Sequence, residues 1–216
     1  AFSQEVVEQV NALEADVVAV TGDLIDGRVD DLASEVEPLG DLQGKHGVFF
    51  VTGNHEYYWN APSWNDHLRT LGWDVLLNEH RVLRIGNGTI ALGGVTDPSA
   101  GQFEPTQASD AVQAFEDAPT TDLRLLLAHQ PKSLYGAQEA GVDLQLSGHT
   151  HAGQMFPMNF LVHLAHPIVR GLGRFGDTWV YVNRGTAYWG PPMRTGKPGE
   201  ITLVELTRNG REGETA

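Results

Sequence analysis

Val48-Phe49-Phe50-Val51-Thr52-Gly53-Asn54-His55-Glu56 is the stretch from which the architecture can be read. Four apolar residues without polar alternation describe a strand buried on both faces, and such strands belong to sheets covered on either side. The run stops at Thr52-Gly53 and is followed at once by an amide, an imidazole and a carboxylate. The same design lies upstream, where Val17-Val18-Ala19-Val20, too uniformly apolar for a wet face, ends at Thr21-Gly22-Asp23. It recurs downstream in Leu123 to Ala128, which ends at His129. A further case is Asp143 to Leu146, which ends at Ser147-Gly148-His149-Thr150-His151. Side chains on the loops after strand ends converge in space.

Between these strands the pattern is helical. Ser3 is placed to cap a helix with Val6, Val7, Val10 and Leu13 on one face. Asp31 to Leu42, closed by Gly44, predicts a second helix, and Ser63 to Leu71, Thr106 to Phe115 and Pro131 to Ala140 predict three more. Pro131 suits a first turn, and Gly141 ends the last of these helices. Trp73 to Leu77, Arg81 to Ile85 and Thr89 to Val95 read as strands, the last two joined by a Gly86-Asn87-Gly88 hairpin turn. Trp179 to Val182 and Glu200 to Leu206 read as strands of a closing hairpin or meander. Alternation early and strands late predict an α/β fold of two packed sheets with helices outside.

The 216 residues suffice for one domain with a sizeable core, and residues 1–216 are read as a single catalytic domain with a frayed tail over 208–216. With 14 Lys+Arg against 28 Asp+Glu the net charge is −14. Nucleic acid is thereby excluded as a general partner, because phosphate backbones are held by surplus Lys and Arg. A phosphate substrate must instead be captured locally, by metal. Zero cysteines exclude disulfides, zinc-thiolate sites and Cys nucleophiles. No run approaches the roughly 18 apolar residues of a membrane span. The chain opens at Ala1-Phe2-Ser3 without a methionine, and a longer parent polypeptide is the expectation.

The polar groups divide the chemistry. Asp23 is either a turn aspartate or a carboxylate whose two oxygens bridge two metals. Asn54 offers a neutral hard oxygen, which leaves a metal more Lewis-acidic than a second carboxylate would. His55 is suited to face a leaving group as proton donor or charge stabiliser. Asp26 reads as a structural partner. His129 alone would be a core histidine, but it ends a strand and shortly precedes Pro131. His149 and His151 alternate along the chain, so they either reach two metals or straddle one through a bend. His46, His67, His80, His163 and His166 read as surface or packing residues. One carboxylate, one amide and four histidines at strand ends suit a pair of divalent metals for phosphate ester hydrolysis.

Gly22 to Asp26, Gly53 to Glu56, His129 and Gly148 to His151 together resemble, in order and in residue type, the signature of the calcineurin-like metallophosphoesterases. The resemblance covers nearly the whole chain. Leu144 to Gln154 and Gly190-Pro191-Pro192-Met193-Arg194 are similar to a bacterial branch whose members often carry a transmembrane or exported N-terminal region. Ser/Thr protein phosphatases share the Gly-Asn-His-Glu run but have Arg-Gly where this chain has Gly27-Arg28. The resemblance implies a four-layer α/β-β/α sandwich and two Mn, Fe or Zn ions, with a metal-activated hydroxide as nucleophile. By that resemblance Asp23 bridges the ions, Asn54, His129 and His149 complete one site, His151 belongs to the other, and His55 is the acid-side histidine.

The family also has an Asp-x-His run on a first strand, and that run is absent between Ala1 and Asp16. The expectation is a fold lacking its first strand, with one well-formed metal site and slow turnover. Alternatives are a non-catalytic metal-binding module and a mononuclear hydrolase with an open position. The expected substrate is a phosphodiester or pyrophosphate. Pro157 to Val169 is expected to be a buried core segment. Its functional alternative is an apolar or membrane-facing wall for a lipid-linked phosphate, with Trp189 and Arg194 holding the substrate. Arg194 paired with a surface carboxylate is the bland alternative.

Overall fold

The structure, a computed structural model, describes residues 2–195 and 198–207. Its first half runs α1 (Phe2–Asn11), β1 (Val18–Val20), α2 (Val29–Val36), β2 (Val48–Phe50), α3 (Asn54–Tyr58), α4 (Ala61–Thr70), β3 (Asp74–Val75), β4 (Glu79–Ile85) and β5 (Gly88–Gly94). The second half runs α5 (Ala100–Phe103), α6 (Ala111–Ala114), β6 (Leu123–Leu127), α7 (Leu134–Glu139), β7 (Leu144–Ser147), α8 (Met158–Ala165), β8 (Gly171–Phe175) and β9 (Thr178–Val182). β1, β2 and β3 form a parallel sheet in that order. The other sheet has the order β4-β5-β6-β7-β9-β8, parallel from β5 to β9, with an antiparallel hairpin at each edge.

Period-two alternation assigns each apolar side chain to a layer. Val48 and Phe50 pack with Val7, Val36, Trp64 and Leu68 of α1, α2 and α4. Phe49 and Val51 point the other way, against Leu92, Leu125, Leu127 and Leu144 of the second sheet. Along β6, Leu125 and Leu127 face the first sheet while Leu126 packs with Ala114, Phe115 and Ala137 around α6 and α7. The layers are therefore helix, sheet, sheet, helix, as the sequence predicted. Each fully buried Leu or Phe in them contributes roughly 1.5–3 kcal/mol of transfer free energy.

Several local expectations are corrected. Ser3 lies inside α1 rather than capping it, and its hydroxyl donates to Glu35 O at 2.7 Å. β1 does have a wet face: it is an edge strand, and Ala19 is exposed. The helix expected over Asp31 to Leu42 ends at Val36 and continues as a 3-10 turn over Glu37–Asp41, because Pro38 cannot supply a helical N–H. Thr106 to Phe115 likewise splits into a 3-10 turn and α6, which Asp110 caps by accepting from Gln113 N at 2.9 Å. β9 pairs with β8, not with Glu200 to Leu206, which carries no strand and is tied to its neighbours through side chains. Of Pro157 to Val169, His166 and Val169 are buried, but the segment up to Ala165 is not core. It forms the exposed helix α8, because both faces of the second sheet are already covered, by the first sheet and by α6 and α7. The tail expected over 208–216 lies outside the described residues.

One close approach fixes how the strand ends meet. A Cβ on Gly22 would stand 2.4 Å from Gly53 N, and one on Gly53 would stand 2.2 Å from Asp23 Oδ1. Gly22 also holds a φ of +80°. Gly72 has a similar φ of +85° but nothing within 4 Å of the Cβ position. Replacing Gly72 by alanine should cost about 1 kcal/mol of unfolding free energy, and Gly22→Ala about 2 kcal/mol or more. Equal costs in urea titrations of the two variants would show that the turn-to-turn contact contributes nothing.

Candidate metal centre

β1, β2, β6 and β7 each end in a polar loop, and these loops meet where the two sheets face one another. Glu56, buried in α3, ties the first two together. Its carboxylate accepts from Gly53 N at 2.5 Å, Asp23 N at 2.9 Å and Leu24 N at 2.8 Å. Asp23 Oδ1 in turn accepts from His55 N at 2.9 Å. Burial and the neighbouring Asp23 charge push the Glu56 carboxyl upward, and the Gly53 and Leu24 N–H donors and the His129 charge oppose that shift.

His129 bridges the sheets. Its Nδ1–H donates to Thr21 O at 2.7 Å, which fixes the ring and leaves Nε2 turned to the cluster. Nε2 lies 2.9 Å from Asp23 Oδ2 and 3.0 Å from His149 Nδ1. Ligand atoms of Asp23, His129 and His149 all fall within 4.8 Å of one another. Asn54 is buried beside this group in sequence and space; its Nδ2 donates to Tyr58 Oη at 3.3 Å, while its Oδ1 has no hydrogen-bond partner among the described residues. A buried carbonyl without a partner costs about 1–3 kcal/mol, which a cation would offset. Two imidazoles, a carboxylate and a free amide oxygen therefore fit a divalent ion.

The loop after β7 separates the two histidines that the sequence left open between one metal and two. His149, at φ +67°, joins the cluster. His151, at φ +47°, does not, and its Nδ1 accepts from Arg194 Nη2 at 2.9 Å. Arg194 is held by the carbonyls of Arg184, Gly185 and Ala187. Among the described residues it has no carboxylate in ion-pair contact. Trp189 exposes its ring, but its backbone is clamped by the Gln154 amide, which accepts from Trp189 N at 2.7 Å and donates to Trp189 O at 2.5 Å. On the far side, Asp26 accepts from His55 Nδ1–H at 3.2 Å and from Trp59 Nε1–H at 2.8 Å, the structural role expected of it.

Sequence reading missed three supports and placed a fourth, His166, only among surface or packing residues. Glu56 was visible in the Gly-Asn-His-Glu run, but nothing showed that its acceptors would gather three N–H groups. Asp97, wholly buried, accepts from Gln130 Nε2 at 2.9 Å and from Ser99 Oγ at 2.6 Å, bracing the loops after β5 and β6. Its signal was the same strand-then-carboxylate design, after Thr89 to Val95. His166 packs its ring 5.3 Å from that of His149. Gln154 closed the run that resembles the bacterial branch, but nothing there pointed to its clamp on Trp189.

Electrostatics follow from burial against charge. Burial would raise Asp23, but His129 overrides it and holds the carboxyl near about 2. Burial likewise opposes charge on His129, yet Asp23 lifts it to about 9. Burial, reinforced by His129, presses His149 down to about 3. His151 falls to about 4 through burial and the Arg194 charge.

Residues 2–153 match the family model described as calcineurin-like phosphoesterase. The chain is 41% identical over 207 residues to an uncharacterized metallophosphoesterase of Helicobacter pylori, covering 95% of this chain and 55% of that protein. It is 40% identical over 211 residues to a Danio rerio transmembrane protein with metallophosphoesterase domain, covering 94% and 48%. The chain thus spans about half the length of these relatives. Among solved structures, a 5'-nucleotidase precursor from Thermus thermophilus superposes with a TM-score of 0.57 at 17% identity, covering 85% of this chain and 42% of that one, a likeness of fold.

These shifts predict a stability optimum for the chelated chain. His149 and His151 take up protons on unfolding below the ordinary 6.5, so their stabilisation is present above 6.5 and lost as pH falls toward about 3 and 4. His129 works oppositely, stabilising below 6.5 and losing this as pH rises toward about 9. Thermal melts in chelator should therefore peak near neutrality and drop by about 5 °C or more by pH ~5. A flat profile there would contradict the burial of neutral imidazoles.

Proposed function

The chain belongs to the calcineurin-like metallophosphoesterase family, and from that membership we propose that it hydrolyses phosphoric esters at the Asp23, His129 and His149 cluster. Phosphodiesters and pyrophosphates are the proposed substrates. The observation that carries the reading is the convergence of those three ligand atoms beside an Asn54 Oδ1 that is buried without a partner. Asp23, Asn54, His129 and His149 would hold one divalent ion. Bound there, it supplies Lewis acidity toward a phosphoryl oxygen and lowers the pKa of coordinated water. His151 is assigned, with Asp23, to a second ion. No second group of three His, Asp or Glu ligands occurs among the described residues, so this chain should hold one ion tightly.

The protein's own groups prepare the rest. His149 is kept neutral by burial and presents a lone pair, whereas His129, held through Nδ1–H on Thr21 O and charged beside Asp23, would release its Nε2 proton when an ion binds. Asp26 occupies the His55 Nδ1–H, which leaves Nε2 to hand a proton to the departing oxygen. Arg194 keeps a positive charge beside His151, and together with Trp189 it is assigned to substrate holding. A lipid-linked phosphate is the finer form of this proposal. It is supported by the exposed apolar side chains next to the histidine loop and by a relative named as a transmembrane protein.

Calorimetric titration with Mn or Zn should give a ratio of about one ion per chain, and His129→Ala should abolish tight binding. Two tightly held ions would overturn the one-site assignment. His55→Asn should lower turnover of an alkyl phosphodiester by about 100-fold or more while an activated aryl diester loses far less. Equal losses on the two esters would remove His55 from the proton-donor role.

A further inference from the structure

α8 has no buried residue, although Phe160, Leu161, Val162 and Leu164 lie in it. Phe156 is 73% exposed, Phe160 65% and Leu164 86%. Phe160, Leu161 and Leu164 lie at helical spacing on α8, and Phe156 in the turn before it joins that apolar stripe, its ring 6.0 Å from that of Phe160. The polar Asn159 and His163 fall between. An apolar stripe of this size left to water is abnormal for a soluble surface and marks a docking site.

The stripe is fixed in place. A Cβ on Gly153 would stand 2.3 Å from Asn159 Cα, so the start of α8 rests directly on the loop that carries His149 and His151. The Gln154 clamp on Trp189 and a Phe156 N to Thr195 Oγ1 bond of 3.3 Å join α8 to the loop bearing Tyr188, Trp189 and Met193. All three of those side chains are exposed. The two segments form one apolar face with an aromatic edge beside the cluster.

Charge identifies what it meets. The chain carries −14 overall, yet between Leu144 and Gly199 Asp177 is the sole acidic residue, against Arg170, Arg174, Arg184, Arg194 and Lys197. The apolar face thus sits in the acid-poor stretch of a strongly acidic protein; Arg174 is paired with Asp177 and Arg184 with Glu200, while Arg170 lies exposed shortly after α8. Exposed Phe and Leu, a Trp-Tyr pair and the exposed Arg170 match the interface of an anionic bilayer, where rings lie at headgroup depth and cations pair with lipid phosphates. No helix of the described residues is long and apolar enough to cross a membrane, so the face would lie on the surface rather than span it.

We propose that α8 and the Tyr188 to Met193 loop dock this chain on an anionic phospholipid surface, presenting the metal cluster to phosphate esters held there. The consequence for substrate rests on the phosphoester reading; the docking itself does not. The test is flotation of the 216-residue chain with phosphatidylcholine vesicles lacking or containing phosphatidylglycerol, at low and high salt. Binding should require phosphatidylglycerol, weaken with salt, and fall about ten-fold or more in Phe160→Glu/Leu164→Glu, with a smaller loss in Arg170→Gln. Circular dichroism and hydrolysis of a soluble aryl phosphodiester should be unchanged in the double variant, and the milder Leu164→Ala should show a partial loss. Absence of binding to anionic vesicles, or equal binding by the charged variant, overturns the proposal. So does a wild-type dimer on gel filtration that the variant disperses, which would make the face a self-association surface. Vesicle binding without diester hydrolysis would sink the phosphoester reading and leave the docking intact.

Discussion

The approach of two glycines, Gly22 and Gly53, is the constraint on which the centre depends. Strand-end turns normally keep a side chain's distance from one another. Here the backbone of one lies where a Cβ of the other would be, and the Glu56 carboxylate fills the gap by accepting from N–H groups of both turns. That contact sets the separation between Asp23 and Asn54, which come from different strands. A buried carboxylate with three backbone donors is a stiff joint: each donor would otherwise be an unsatisfied N–H in the interior. The ligand set is therefore positioned by backbone rather than by flexible side chains.

The second sheet completes the centre through a single ring. His129 reaches across to Thr21 O with one nitrogen and meets Asp23 and His149 with the other. Its two nitrogens therefore do different work, one fixing the sheets' relative placement and one facing the cluster. The opposed shifts of Asp23 and His129 on one side, and of His149 on the other, come from the same cause. Burial disfavours charge everywhere, and the directly paired couple overrides it. A centre of this kind favours a cation, which satisfies carboxylate, amide oxygen and both imidazoles at once.

Around this rigid cluster the chain is uneven in character. The acidic excess that keeps polyanions away is carried mostly outside residues 144–199, while those residues hold a single acid, the apolar helix and the exposed Tyr188 and Trp189. Segregation of this sort lets one surface approach an anionic layer while the remainder repels it. Gly153 and Gln154 place that surface directly against the histidine loop.

Composition and pattern alone determined the strands that matter, the doubly buried character of β2 and β6, the helix-sheet-sheet-helix layering and the residue types at four strand ends. These follow from local periodicity, which a single sequence carries in full. Where β1 would be wet, where Pro38 would end a helix early and which strand would partner β9 depended on neighbours the sequence does not name. The fate of Pro157 to Val169 illustrates the limit. Its apolarity predicted burial, but whether a face is free to receive it is a property of the packed sheets, and both were already covered. In the same way the spacing of His149 and His151 was legible, but their separation into a cluster ligand and an Arg194 partner was not. Left-handed backbone at both positions and a loop arriving from about forty residues away decided it, because convergence in space is created by folding and leaves no mark on linear order.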